Sequence, residues 1–298
     1  MIFNATLFAS ALLVATPLIL AAGGGAISHQ AGIFNFTLDG LMLWGAFFAI
    51  YFAKVGGTWQ AGLAGAAAMT VCASLVFGFV VIRLKANPIV AALGLNLVAA
   101  GVTSLLLRTR LSSGGGAVSA ARLPDATPKL LERLPLIGHV LAGQSIVIYM
   151  AILSGPCIYF FLTRTAVGLR LRAAGDAPES AAIAGISVAR MRYLALGLTG
   201  LLCGLAGAQL SMGIAQFTEN ITAGRGITAF AAVIFGRNLP YPVYATAAFF
   251  GFSIALTDRL QGLGMPGELV VLIPYLLTVV ALAVSSRRTM AAYRQALA

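Results

Sequence analysis

The sequence predicts an all-α fold, a polytopic membrane helix bundle of about nine transmembrane segments. Three observations predict it. Only 9% of the 298 residues are charged, where a soluble chain holds about 25%. The mean hydropathy is +0.96. Apolar runs recur from one end of the chain to the other, most of them near the ~20 residues that cross a hydrocarbon core. Ionised side chains are costly in lipid, so a deficit of this size marks a chain that lies mostly within it. The even spread of the runs predicts one domain, 1–298.

In order, the runs fall near 7–27, 38–53, 59–82, 88–107, 143–163, 191–212, 226–236, 241–257 and 268–284. No Lys or Arg precedes the first, unlike a secretory leader, and its length suits a span, so a retained helix is predicted. The runs 38–53 and 226–236 are short, which predicts tilted, broken or re-entrant helices. Two polar stretches interrupt the series. Residues 108–142 carry Gly, Ser and Pro turn signals; residues 164–190 are Arg-rich and more helical in character.

The net charge of +11 does not indicate nucleic acid. The cations lie between apolar runs, where they meet lipid headgroups, and no basic stripe with interleaved aromatics is present. With 164–190 placed in the cytoplasm and alternating segments, 11 of the 19 cationic residues fall inside and 8 outside. The positive-inside rule then favours an outer N-terminus and an inner C-terminus.

Several chemistries are excluded. A P-loop needs Gly-Lys before Ser or Thr, but Ala53, Leu84 and Pro128 precede the three lysines. The acidic residues form no close pair within an apolar run, so acid–base and two-metal catalysis have no candidates. His29 and His139 lack partners at metal-ligand spacing, and no metal or other cofactor is expected. Cys72, Cys157 and Cys203 lie in apolar runs and read as small buried hydrophobes. Asp39 has two readings, a carboxylate favoured by a helix N-terminus or a polar group on a solute pathway.

The stretch 164–213, RTAVGLRLRAAGDAPESAAIAGISVARMRYLALGLTGLLCGLAGAQLSMG, resembles the cytoplasmic coupling loop and following helix of ABC-importer permeases of the branched-chain amino acid, simple-sugar and nucleoside group. The pattern rests on Gly168, Leu169, Arg172, Ala173, Gly175, Pro178, Ala181, Ala182, Gly185, Ile186, Val188, Arg190 and Arg192. Asp176-Ala177 stands where many relatives have an acidic residue followed by Asn. Residues 32–49, 86–99 and 222–236 resemble further family segments in the same order. The shorter length and the 222–236 stretch resemble the smaller of two paired permeases in nucleoside or sugar uptake.

This resemblance implies a bacterial inner-membrane permease that works with a separate ABC ATPase, a second permease copy or paralogue, an extracytoplasmic binding protein and membrane lipid. It implies that 164–190 is a cytoplasmic coupling loop and 108–142 an extracytoplasmic loop. A neutral polar solute is expected, a nucleoside, purine-like ring or simple sugar ahead of a branched-chain amino acid. An ion-gradient-driven carrier is the alternative, and it would leave the 164–190 loop without a role.

The residues support a physical reading beside the resemblance. Gly175 and Pro178 interrupt the chain, Asp176 is placed to cap a new helix with Glu179 reaching back to it, and Ala181, Ala182, Ile183 and Ile186 offer a small apolar face for a partner's groove. An interfacial helix lying on headgroups is the other reading of this segment. The Gly-flanked short runs point to broken helices that expose backbone to a ligand. Asn35, Asn96 and Gln209 are candidate hydrogen-bonding groups for it, Phe34 and Phe217 candidate stacking platforms, and Asp39 and Arg225 polar neighbours on the same pathway. For Asn96 and Gln209, interhelical hydrogen bonding is an equal reading. Gly200, Gly204 and Gly207 read as a helix-packing face.

Overall fold

The computed structural model describes residues 5–111, 118–119, 122–125 and 143–262. The expected span 268–284, most of 108–142, His139 and the C-terminal arginines lie outside them.

The long apolar runs become long helices despite internal Gly and, in α1, Pro17: α1 (Ala5–Gln30), α2 (Leu38–Gly56), α3 (Trp59–Gly78) and α4 (Pro88–Leu106). Their ends follow local chemistry. The Thr58 hydroxyl accepts from the Ala61 N–H to open α3, and the Asn87 side chain accepts from Ile89 and Val90 with Pro88 in the first turn of α4, both ordinary N-caps. α2 ends on Gly57 with φ +66°, a left-handed residue that suits glycine. π-helical turns extend α3 over Phe79–Arg83 and α4 over Leu107–Leu111.

After a short strand β1 (Val118–Ser119) come α5 (Ile146–Arg164), α6 (Ala166–Asp176), α7 (Pro178–Ile183) and α8 (Val188–Met212). Strand β2 (Gln216–Phe217) pairs antiparallel with β1. The short α9 (Arg225–Phe235) and then α10 (Pro240–Gly262) complete the described fold.

Six of these helices are long and apolar enough to cross a membrane. The 23-residue α10 matches them in length but carries Ser253, Thr257, Asp258 and Arg259, and it is not among the six. The expected count of nine is therefore not reached among the described residues. The expectation for 38–53 also needs correction. α2 is a continuous helix of 19 residues and one of the six; the irregular backbone lies before it, at 31–37. By contrast, 226–236 does form a short helix, α9, of 11 residues.

α1, α2 and α8 form the centre, each about 67% buried over its apolar window, whereas α4 is only 17% buried. A 25-residue α8 is about 37 Å long, and it packs along α1, α2 and α3. Where α8 meets α2, Gly204 and Gly207 bring the two backbones together. A Cβ on Gly207 would overlap the Met42 carbonyl and the Ala46 amide, and one on Gly200 would press on Thr70 and Val71 of α3. The sequence reading of these glycines as a packing face is what the helices show. Three hydroxyls fasten the contacts: Ser74 donates to the Leu196 carbonyl (2.7 Å), Thr199 to Gly24 (2.7 Å) and Ser211 to Ala46 (2.8 Å). In an apolar bundle such bonds join helices where hydrophobic burial gives little preference. Of the cysteines, only Cys203 is buried; Cys72 and Cys157 are exposed, because their runs lie on outward faces of the peripheral α3 and α5.

Candidate functional site

The chain after α1 turns back on itself. Gly24 of α1 lies against Thr199 of α8, and Gly25 lies against Leu38, the first residue of α2, and Val233 of α9. Gly25 precedes the end of α1 by five residues, about 7.5 Å of rise. Residues 31–37 therefore climb back beside α1 without helix, and α2 begins inside the body of the bundle. α9 begins at the same depth, because a Cβ on Gly226 would fall on the Asp39 backbone. Two helix N-termini thus meet at one buried level, with non-helical chain leading into each.

Asp39 joins them. One carboxylate oxygen accepts from the Gly226 N–H (2.9 Å) and the other from the Thr222 hydroxyl (3.3 Å). Its charge faces the positive ends of both α2 and α9, so the helix-terminus reading of Asp39 holds and extends to a second helix. Asp39→Ala leaves the Gly226 amide without its acceptor, at a cost of about 1–3 kcal/mol. The expected result is a lower melting temperature of the purified chain in detergent, with a smaller loss for Asp39→Asn, which keeps one acceptor. Equal melting of Asp39→Ala and the parent chain would show that the bond contributes nothing.

Asn96 of α4 completes the first turn of α2: its oxygen accepts from the Gly40 N–H (3.0 Å) and its amide donates to the Phe36 carbonyl (3.1 Å). This is the interhelical role. Asn35 is 2% exposed. Its oxygen accepts from the Thr37 N–H (3.0 Å) and the Thr37 hydroxyl, while its Nδ2 is buried without a partner among the described residues. An orphaned buried donor is uncommon, and this one sits in the irregular segment. Phe34 is 40% exposed, with its ring 5.4 Å from His29 and 5.2 Å from Phe230; Phe36 and Phe230 are 4.2 Å apart. Arg225 opens α9 half-buried and folds back to donate to the Ile221 carbonyl (3.1 Å). It lies at this inner level and not in an end loop, where the cation count had placed it.

Five of the seven pathway candidates, Phe34, Asn35, Asp39, Asn96 and Arg225, thus gather around the starts of α2 and α9. Gln209 and Phe217 do not join them. Gln209 lies ten residues beyond Thr199 on α8, about 15 Å further along. Its oxygen accepts from the Ser145 hydroxyl (2.7 Å), and its Nε2 is buried with no partner among the described residues. Phe217 is fully buried in β2 and meets Phe47 edge-on at 5.4 Å, which leaves no open face for stacking. Both belong to the end of the bundle where β1 pairs with β2. Thr222, Thr37 and Ser145 were not singled out from sequence; only the Gly-x-Gly of 224–226 hinted at the first.

At the opposite end, the 164–190 stretch folds as two helices. The Thr165 hydroxyl accepts from the Gly168 N–H (3.1 Å) and donates to the Phe161 carbonyl (2.6 Å), capping α6 and fixing the corner with α5. The capping expectation for Asp176 and Glu179 is overturned. α6 runs through Gly175 to Asp176, and the N-cap of α7 is Ala177, with no side-chain cap. Thr165 starts the helix early enough for Asp176 to be its last residue, and Pro178 supplies the start of α7. Glu179 remains in the first turn of α7, where the helix dipole favours it.

α7 ends in a Schellman motif. The Ile186 N–H donates to Ala181 and the Gly185 N–H to Ala182, with Gly185 at φ +80°, as this stop requires. Ala181 is buried at 4%, whereas Ala182 is exposed and Ile183 is 90% exposed. The outward apolar feature is therefore Ala182 and Ile183, without Ala181. Gly175 touches the α1–α2 connection: a Cβ there would overlap the Gln30 carbonyl, and one on Gly32 would come within 3.2 Å of the Gly175 Cα. Arg192 adds a 3.4 Å hydrogen bond to the Ala31 carbonyl.

Span-length helices centred on α1, α2 and α8, with the short α9 starting at a buried level beside α2, make a membrane-spanning body. A family profile described as "Branched-chain amino acid transport system / permease component" matches residues 7–282, and the chain belongs to that family of non-catalytic permease components. TsgC13 of Haloferax volcanii, provisionally assigned as a glucose ABC transporter permease, is 34% identical over 89% of this chain and 80% of its own. The guanosine ABC transporter permease NupQ of Bacillus subtilis is 33% identical over 91% of this chain and 89% of its own. A solved ABC transporter of provisional metal-chelate type, in an inward-facing conformation, shares the fold with a TM-score of 0.50 at 16% identity, over 93% of this chain and 84% of that one.

Proposed function

We propose that this chain is the permease subunit of an ATP-driven importer for a nucleoside or simple sugar, with its solute route passing the starts of α2 and α9. The observation that carries the reading is the contact of Gly175 with Gly32, which ties the α6–α7 loop to the irregular segment holding Phe34 and Asn35. A separate ATPase docking on Ala182 and Ile183 would move α7 and α6, and α6 bears directly on residues 31–37.

The residues around that segment suit a neutral polar ring. Phe34 and Phe230 offer aromatic surface, and the free Asn35 amide offers a donor. The Asp39 carboxylate is engaged by Gly226 and Thr222, so part of its accepting capacity already serves the helix ends. The names of TsgC13 and NupQ, a sugar and a nucleoside permease, point the same way. The full assembly takes a second permease, as paralogue or self, and an extracytoplasmic binding protein. Arg164, Arg170, Arg190 and Arg192 lie in or beside the α6–α7 loop, and the positive-inside rule puts that end in the cytoplasm of the inner membrane; the N-terminus is then outside.

The test is reconstitution of the chain with its ATPase, second permease and binding protein, using labelled guanosine and glucose. Uptake that requires ATP is the expected result. Uptake driven by a proton or sodium gradient without ATP would replace this reading with that of a secondary carrier.

A further inference from the structure

Apart from the solute route, a cavity of about 160 Å³ lies where the end of α1, the last turn of α5, α6 and the first turn of α10 converge, lined among others by Gln30, Tyr159, Thr163, Arg172, Pro240 and Tyr241. Arg172 supplies a cation to this lining. The Arg172 Nε is buried and has no hydrogen-bond partner among the described residues. No carboxylate of the described residues lines the cavity. The ion pair found among the described residues, Arg108 with Glu219, belongs to the other end of the bundle. A guanidinium held partly out of water with no counter-charge is unfavourable unless an anion completes the site.

The rim identifies the class of anion. Tyr159 and Tyr241 stand with ring centroids 4.6 Å apart, and Tyr241 and Leu239 are 54% and 49% exposed. Aromatic and apolar side chains beside cations at helix ends mark the level of lipid headgroups, and basic pockets between spans take anionic headgroups. The planar fork of an arginine matches phosphate oxygens. We propose that this cavity binds a phosphate group, supplied as the phosphodiester of an anionic membrane lipid. The lipid would then link α6, which leads into α7, to α1, α5 and α10. This inference needs only the membrane location of the chain and is independent of its cargo.

The test uses the full chain purified in detergent, with native mass spectrometry to count retained lipid and thermal melting to read binding. Phosphatidylglycerol should be retained at one per chain and raise the melting temperature by roughly 3 °C, with phosphatidylcholine doing neither. Arg172→Gln should lose both effects. Thr163→Trp, which fills the cavity while keeping the arginine, should lose both as well, and guards against a folding defect in the first variant. Arg170→Gln, exposed on the same helix and outside the cavity, should keep them. Retention by Arg172→Gln and Thr163→Trp equal to the parent chain, or loss in Arg170→Gln equal to that in Arg172→Gln, would overturn the site. An equal shift from inorganic phosphate in phosphatidylcholine would uphold the anion site and overturn lipid as its source.

Discussion

Ile183→Asp should leave the chain folded and inserted while cutting ATP-driven uptake at least about 10-fold. The side chain is 90% exposed, so the substitution removes no packing within the chain. If α7 docks on the ATPase as proposed, the same side chain enters a partner's groove, and burying an isoleucine is worth about 1.5–3 kcal/mol. Replacement by a carboxylate forfeits that gain and adds a desolvation cost. Each 1.4 kcal/mol is roughly tenfold in affinity, so a 10- to 100-fold weaker hold on the ATPase is expected. Co-purification of the ATPase and the ATP dependence of uptake read the effect, and the melting temperature of the isolated chain should not move. Wild-type uptake by this variant would remove α7 as the docking element. Gly185→Trp is a less clean probe, because Gly185 sits at φ +80° and a side chain there strains the helix stop as well as any interface.

Gly207→Leu should yield little or no folded protein. A first side-chain atom at this position already overlaps the Met42 carbonyl and the Ala46 amide, and these are main-chain atoms of a central helix. They cannot turn away as a flexible side chain does. Overpacking in an adaptable core costs about 1–3 kcal/mol; here relief requires α2 and α8 to separate along a contact that also holds Gly45 against Gly204 and the Ser211–Ala46 bond. Gly197, on the same helix with open space around its Cα, should accept leucine with little change. Protein yield, protease resistance and melting in detergent distinguish the two. Equal behaviour of the two variants would show that α8 does not pack on α2 in this register.

Much of this was legible in the sequence because the bilayer is a strict solvent. Helix positions follow from apolar length, and the Gly200–Gly207 face follows from small residues at helical spacing. What was not legible depended on depth. The length of the run 38–53 suggested a broken helix, yet the break precedes Leu38, and only the contact with Gly25 reveals that α2 starts inside the bundle. Asp39 was recognisable as a polar group near a helix start and Asn96 as one within a helix, but the helix ends they satisfy lie 187 and 56 residues away in sequence. Gln209 and Phe217 were grouped with the others by residue type, and α8 carries them to the opposite end. At 164–190 Pro178 does start a new helix, but Gly175, read as a break, lies inside α6. The placement of the cap was missed, because Thr165 commits the chain to helix ten residues before the glycine.

The meeting of Gly32 with Gly175 joins one main chain to another with no side chain between them. A joint made through side chains has rotamers to absorb motion; a joint of bare backbone has almost no play. Displacement of α6 therefore reaches residues 31–37 at nearly full amplitude, whatever side chains line the solute route. On the proposed solute route, cargo preference and drive can then diverge independently: the partly exposed Phe34 can change with the solute, while the two glycines are held fixed by the close backbone contact they form.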